Sequence, residues 1–257
     1  MTQTVNLDHI TIVLVRPHIP ENIGAALRAM NNMGLSRLVL VDPKNHDPSR
    51  VLKTATGSST ALWERMTVHG DLQEALAPYH YIVGTTARTG SSRPAMTNPR
   101  TLARDLIPLA RENRVAILFG PEDRGLSNDQ LRYCHTITTI PTAPFSSLNL
   151  AQAVLILSYE LFLAQRDDAP GSVPRLADGF ELEGMYDHIK AVATKIGFID
   201  PQNPEHWMRN IRRFLSRYRL RARETRIIRG FCRQIDWYTN QLERPEKKSD
   251  SWFKSEN

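Results

Sequence analysis

Four polar segments that follow β-branched runs hold most of the residue types able to do chemistry in this chain. Pro20–Gly34, P-E-N-I-G-A-A-L-R-A-M-N-N-M-G, carries Asn22 and Arg28 on a helical pattern whose apolar stripe is Ile23, Leu27 and Met30. Gly24 lies one turn from Arg28 and puts no bulky side chain beneath it, so a backbone or a phosphate has room to approach the guanidinium. Leu118–Ser127, L-F-G-P-E-D-R-G-L-S, is a tight glycine turn carrying Glu122. Gly120 and Gly125 have the spacing of a phosphate-binding P-loop. Leu126 and Ser127 stand where Lys and Ser/Thr should follow, so the point charge that a nucleoside triphosphate needs is missing. Ile140–Leu161 opens with a turn-rich loop containing Pro141, Pro144, Ser146, Ser147 and Asn149, and runs directly into a long apolar helix. Gly84–Arg88, G-T-T-A-R, is a fourth strand end rich in small and hydroxyl residues, and no G-x-G-x-x-G occurs anywhere. Singly, each segment also reads as an ordinary helix cap, a strand-to-helix turn or a solvated arginine. Together they exceed what scaffold turns require. They point to one site at a sheet edge, for a cofactor held by backbone hydrogen bonds more than by charge.

The elements that must position these segments alternate. Ile10–Val15, Arg37–Val41, Tyr81–Thr85, Val115–Phe119 and Thr136–Ile140 read as strands. Ile23–Met33, Leu72–Leu76, Leu102–Arg111, Asn128–Tyr133 and Leu150–Gln165 read as helices between and after them. Such alternation predicts an α/β domain with a largely parallel sheet, helices on both faces, and ligands at the carboxyl ends of the strands. Gly34 is placed to end the first helix in a left-handed cap. From Arg166 the pattern breaks into a linker reaching residue 180. Three helical stretches without a strand follow: Leu182–Ile196, His206–Ser216 and Glu224–Leu242. The expected division is therefore 1–165, a linker at 166–180, a small all-α unit at 181–243 and a polar, disordered tail at 244–257.

With 257 residues, 41% of them hydrophobic, the chain buries a sizeable core. Cys134 and Cys232 belong to no Cys-x-x-Cys pair, which argues against a disulfide framework or a structural zinc site and fits a reducing cytoplasm. No run approaches the roughly 20 apolar residues of a membrane span, and no metal or membrane partner is expected. The net charge of +6 is uneven, with 15 basic against 13 acidic residues up to 165 and 18 against 14 beyond. Between Arg209 and Arg233 ten arginines face a single carboxylate, Glu224, with Trp207, Phe214, Tyr218 and Phe231 close by. A solvated helix face or a membrane-surface helix would also carry such charge. Guanidinium forks for phosphate and aromatic faces for bases favour RNA.

In order and spacing, N-x-G-x-x-x-R followed by Gly34, then F-G-x-E-x-x-G-L, then I-P ahead of S-L-N-x-A-x-A resemble the three motifs of the SpoU branch of the SPOUT RNA methyltransferases. The C-terminal part is similar to the helical extension of TrmJ-type tRNA methyltransferases at Tyr186, Gly197-Phe198-Ile199, Asn210, Arg212-Arg213-Phe214 and Ile228-Arg229-Gly230. The resemblance implies a C-terminal trefoil knot in the α/β domain, a homodimer, and S-adenosylmethionine contacted by Thr85, Thr86, Ala87, Gly120, Ile140, Ser147, Leu148 and Asn149. It implies methylation of a ribose 2'-hydroxyl in the tRNA anticodon loop, at a cytidine or uridine in position 32. Asn22, Arg28, Glu122, Ser147 and Asn149 would form the catalytic set, Glu122 and Asn149 holding Arg28 or the loop. Arg28, Arg88, Arg209, Arg212, Arg213 and Arg217 would meet the RNA. Free guanidinium has a pKa above about 12, so Arg28 is expected to orient the hydroxyl and bind the adjacent phosphate. Pro121 departs from the arginine that often follows the motif glycine. The alternatives are a methyltransferase of ribosomal RNA and a noncatalytic RNA-binding module.

Overall fold

The computed structural model describes residues 7–87, 96–167 and 174–242. Seven strands form one all-parallel sheet in the order β3-β2-β1-β6-β4-β7-β5. They are β1 (Ile10–Val15), β2 (Arg37–Val41), β3 (Thr67–His69), β4 (Tyr81–Thr85), β5 (Met96–Thr97), β6 (Val115–Phe119) and β7 (Thr136–Thr138). The central strands are apolar throughout because both sheet faces are covered. Ile10, Ile12 and Leu14 point into one core with α1 (Pro20–Asn32), α5 (Pro99–Ala110) and α7 (Leu150–Arg166). Val13 and Val15 point into the other, with α4 (Leu72–Leu76) and Leu131 of α6 (Asn128–Leu131).

Chain order and sheet order diverge at two places, and these build the site. β6 pairs with both β1 and β4, and β7 pairs with both β4 and β5. Because every strand is parallel, the segments that follow β1, β6, β4 and β7 leave from the same edge as immediate neighbours. The four polar strand ends of the sequence are thereby brought side by side.

The expected strands and helices are present, with shifts at their ends. α1 and α5 begin about one turn earlier than periodicity suggests, each with a proline in its first turn, where a missing N–H costs nothing. β7 stops at Thr138, and Ile140 lies beyond it. β3, β5, α2 (Pro48–Thr54) and α3 (Thr60–Arg65) were not expected, being too short to show a period. α2 is started by Asp47, whose carboxylate accepts the Ser49 N–H at 2.9 Å. Gly34 does close α1 with φ of 75°.

Gly24 is put to a different use from the one expected. A Cβ there would overlap the Val51 carbonyl and the Thr54 hydroxyl of α2. The small residue lets two helix backbones touch and opens no space for a phosphate.

The C-terminal helices α8 (Gly179–Lys195), α9 (Pro204–Leu215) and α10 (Ala222–Leu242) share a small core of Met185, Tyr186, Ala193, Ile199 and Met208. The chain leading into them is fastened to the α/β part. Leu176 N–H donates to the buried Asn113 side chain at 2.7 Å, and Gly179 and Phe180 N–H donate to the Tyr79 and Ala77 carbonyls. A Cβ at Gly179 would meet Ala77 Cα at 2.9 Å, so only glycine permits this approach. The tail beyond Leu242 lies outside the described residues.

His135, just before β7, accepts the Ile82 N–H on Nδ1 at 3.1 Å. Burial pushes its ring down from the usual 6.5 to about 4. The unfolded chain therefore takes up a proton first as pH falls. Stability from this group is whole above about pH 6.5 and declines by roughly 1 kcal/mol per pH unit between there and pH 4. Thermal unfolding between pH 7 and 4 should show this decline, and His135→Asn should make it shallower.

Candidate active site

Glu122 organises the carboxyl edge of the sheet. It rises from a turn that only glycine allows at Gly120, where a Cβ would meet Gly125 Cα at 2.7 Å, and that closes through Gly125 N–H to the Pro121 carbonyl at 2.9 Å. α1 has Ile19 at its N-cap, a residue with no side chain able to accept its free N–H groups. Glu122 supplies that acceptor from another part of the chain. It takes His18 N–H at 3.0 Å, Ile19 N–H at 3.3 Å and the Asn22 amide at 2.9 Å. Its charge also sits at the positive end of the helix. The Asn22 carbonyl oxygen in turn accepts the Asn149 amide at 2.9 Å. Asn149 caps α7, its Oδ1 accepting Ala151 N–H at 2.9 Å, and Gln152 answers in a capping box. One continuous hydrogen-bonded chain thus ties three of the sequence segments together.

The remaining cofactor candidates line the same edge. The Thr85 hydroxyl is already committed to the Leu118 carbonyl at 2.8 Å, and Thr86 N–H to the Thr138 carbonyl at 3.1 Å. Ala87 is exposed, Gly120 and Ile140 are half-buried, and Leu148 is half-buried between the exposed Ser147 and Asn149. Thr139 Oγ1 is buried without a hydrogen-bond partner among the described residues, which leaves one polar atom for a bound group to satisfy. Pro141–Ser147 are all exposed, and Phe145 is 80% exposed. Backbone edges, an orphan hydroxyl and no cationic side chain among these candidates fit a zwitterionic cofactor such as S-adenosylmethionine better than a polyphosphate.

Arg28 stands apart from this network. Six residues beyond Asn22, it lies about 9 Å along α1 and on another face. It is exposed and makes no hydrogen bond or ion pair among the described residues. Glu122 and Asn149 hold the loops, not Arg28. Arg88 falls outside the described residues. Arg209, Arg213 and Arg217 are exposed, whereas Arg212 is turned inward. Its guanidinium grips Glu183 through bonds of 2.6 and 2.7 Å and lies 4.3 Å from the Tyr186 ring centroid, so it pins α9 to α8. Sequence reasoning missed Arg16 and Asp42, at the ends of β1 and β2. Both have left-handed φ, 52° and 43°, and they pair at 2.9 Å on the rim of the site. No sequence signal marked them, since the proline after each, at Arg16-Pro17 and Asp42-Pro43, favours extended backbone instead.

Comparison with known proteins bears directly on this arrangement. The model of the SpoU rRNA Methylase family matches residues 9–159. The chain belongs to the SpoU rRNA methylase family. The matched stretch runs from just before β1 into α7 and contains every residue of the hydrogen-bonded chain. A model of the C-terminal domain of the tRNA methyltransferase TrmJ matches residues 180–248, which begin in the first turn of α8. The chain is 38% identical over 247 residues to the tRNA (cytidine/uridine-2'-O-)-methyltransferase TrmJ of Sodalis glossinidius, covering 93% of this chain and 95% of that one. It is 37% identical to the tRNA (cytidine/uridine/adenosine-2'-O-)-methyltransferase TrmJ of Pseudomonas aeruginosa, covering 87% and 92%. The crystal structure of TrmJ from Z. mobilis superposes with a TM-score of 0.75 at 33% identity, covering 88% of this chain and 98% of that one. The α/β sheet with its helical C-terminal part is therefore an architecture shared with the TrmJ of Z. mobilis.

Within this SpoU fold the carboxylate at position 122 should matter more than its half-exposed position suggests. Glu122→Ala leaves two backbone N–H groups and the Asn22 amide without their acceptor. It should lower unfolding stability by about 2 kcal/mol, read from the urea midpoint, while Glu122→Gln should cost less.

Proposed function

We propose that this protein transfers a methyl group from S-adenosylmethionine to a ribose 2'-hydroxyl in the tRNA anticodon loop, at cytidine or uridine 32. The observation that supports this most is the joining of Asn22, Glu122 and Asn149 at the carboxyl edge of the sheet, in a chain whose relatives bear the name of that activity. Residues 1–165 form the methyltransferase domain, knotted at its C-terminal end, and 181–243 form a tRNA-binding unit. The enzyme works in the cytoplasm on RNA; among the described residues no helix is long and apolar enough to cross a membrane.

When bound, the cofactor supplies an activated methyl group on a sulfonium centre. Thr85–Ala87, Gly120, Ile140 and Ser147–Asn149 would hold it, and the Thr139 hydroxyl, buried without a partner among the described residues, would offer a further hydrogen bond. The Glu122–Asn22–Asn149 chain keeps the edges of this cradle at fixed spacing. The protein's main task is then alignment of the hydroxyl and assistance to loss of its proton. Arg28 binds the adjacent phosphate and orients the hydroxyl, remaining protonated as it does so. Ser147, exposed beside Asn149, contacts the RNA or the cofactor.

Arg28 does not meet the cradle of its own chain, which supports a homodimer in which a second protomer brings its Arg28 to this edge. Phe145, Leu155, Tyr159 and Ile19 are apolar and exposed around the same loop and along α7, as a surface meant for a partner would be. Leu155→Glu should shift the sedimentation coefficient toward that of a monomer; an unchanged dimer would move the interface elsewhere. Labelled S-adenosylmethionine incubated with unmodified tRNA transcripts, with ribosomal RNA alongside, tests the reaction. Label at a ribose of the anticodon loop is expected. Arg28→Ala should leave cofactor affinity within a few fold and remove most of the transfer. Label confined to ribosomal RNA would keep the chemistry and move the substrate, and none in either RNA would favour the noncatalytic module.

A further inference from the structure

The other end of β4 carries a second polar cavity. β5 pairs with Ile137 and Thr138 of β7, and among the described residues no strand pairs with His135 and Thr136 on that side. The turn between α9 and α10 lies against this end of the sheet, with the Arg219 guanidinium over the Tyr81 ring. It is held there by Ala177 N–H to the Leu220 carbonyl at 2.8 Å and by a bridge between Leu176 and Arg221. A cavity of about 250 Å³ remains between the turn, α5 and the sheet. Tyr81, His135, Asp105, Thr136, Arg217 and Arg219 line it.

Its chemistry is specific. Tyr81 and His135 are stacked with centroids 5.0 Å apart, and the Arg219 guanidinium lies 4.9 Å from the Tyr81 ring centroid. Neither Arg217 nor Arg219 has a carboxylate within ion-pair distance among the described residues, in contrast to Arg212. His135 accepts on Nδ1 and is uncharged, so its proton is on Nε2, a further donor. Two guanidinium groups and a hydroxyl suit a phosphoryl oxygen, and Asp105 adds one acceptor for an amine or hydroxyl on the same ligand. The volume is of the order that a single nucleotide fills. Tyr81 and Thr85 are at opposite ends of β4, about 13 Å apart, so this is not the methyl-donor cradle.

We propose that this interdomain pocket holds one phosphate-bearing nucleotide of the RNA substrate, away from the ribose that is methylated. The inference rests on the tRNA reading above and adds a location to it. A nucleotide held there touches both the α/β part and the α9–α10 turn, so RNA binding fixes one against the other.

Equilibrium binding of unmodified tRNA to the full chain, measured across salt concentrations, tests it. Arg217→Ser and Arg219→Gln should each weaken binding roughly tenfold, and Arg217→Ser should reduce the salt slope by about one. Arg217→Lys should retain most of the affinity. Cofactor affinity should match the wild type in all three, and the thermal midpoint should match it in both Arg217 variants, which separates a lost contact from a damaged fold; Arg219→Gln also loses the contact with the Tyr81 ring and should lower the midpoint slightly. Wild-type affinity and salt slope in both charge-removing variants would overturn the proposal. So would saturable binding of cytidine 5'-monophosphate that Arg217→Ser abolishes while tRNA affinity stays unchanged, since the pocket would then serve free nucleotides. Wild-type protein that binds no tRNA would overturn the functional reading and this proposal with it; tRNA binding that the variants share in full would overturn this proposal alone.

Discussion

The carboxylate of Glu122 is the constraint on which the site depends. A helix that starts on Ile19 has no acceptor of its own for its first N–H groups, and leaving them unpaired at a half-buried edge is costly. Glu122, in the turn after β6, accepts the His18 and Ile19 N–H groups at the entrance to the helix, and the solution has a geometric by-product. Asn22, held through its amide nitrogen, turns its oxygen outward to Asn149, and Asn149 is thereby fixed as the first residue of α7. A local need for capping becomes the means by which three loops keep their spacing.

The arginine-rich C-terminal part shows a division of labour that charge counting hides. Arg212 is used for structure: its fork matches the Glu183 carboxylate and its flat face covers Tyr186. Arg213 and Arg217, close to it in sequence, remain exposed. The same residue type thus builds the small domain and lends it its field. The fastening at Asn113, Tyr79 and Ala77 means that the field is presented from a defined direction.

Much of the fold was legible because the central strands are buried on both faces and must therefore be apolar without interruption. The edge strands β3 and β5 were not, since three and two residues carry no period. The residues that meet at the site were legible as polar interruptions at strand ends. Their partners were not, because the bond from Asn22 to Glu122 spans 100 residues and depends on sheet order, which local pattern does not encode. Gly24 shows the limit well. Its need for a missing side chain could be read from the sequence, but whether a phosphate or a second helix used the space could not. Arg212 was indistinguishable from its neighbours until Glu183 was seen beneath it.

The order of the sheet has a consequence for how the molecule comes into being. β1 and β4 belong on either side of β6, and β6 is made after both. Until Phe119 has been synthesised, the two earlier strands have no seam to share, and α7, which covers them, is made later still. Contacts of such long sequence separation form slowly, because the intervening chain must be ordered first. The active edge is thus among the last features to exist. A nascent chain of this protein completes its core and its chemistry in the same late step.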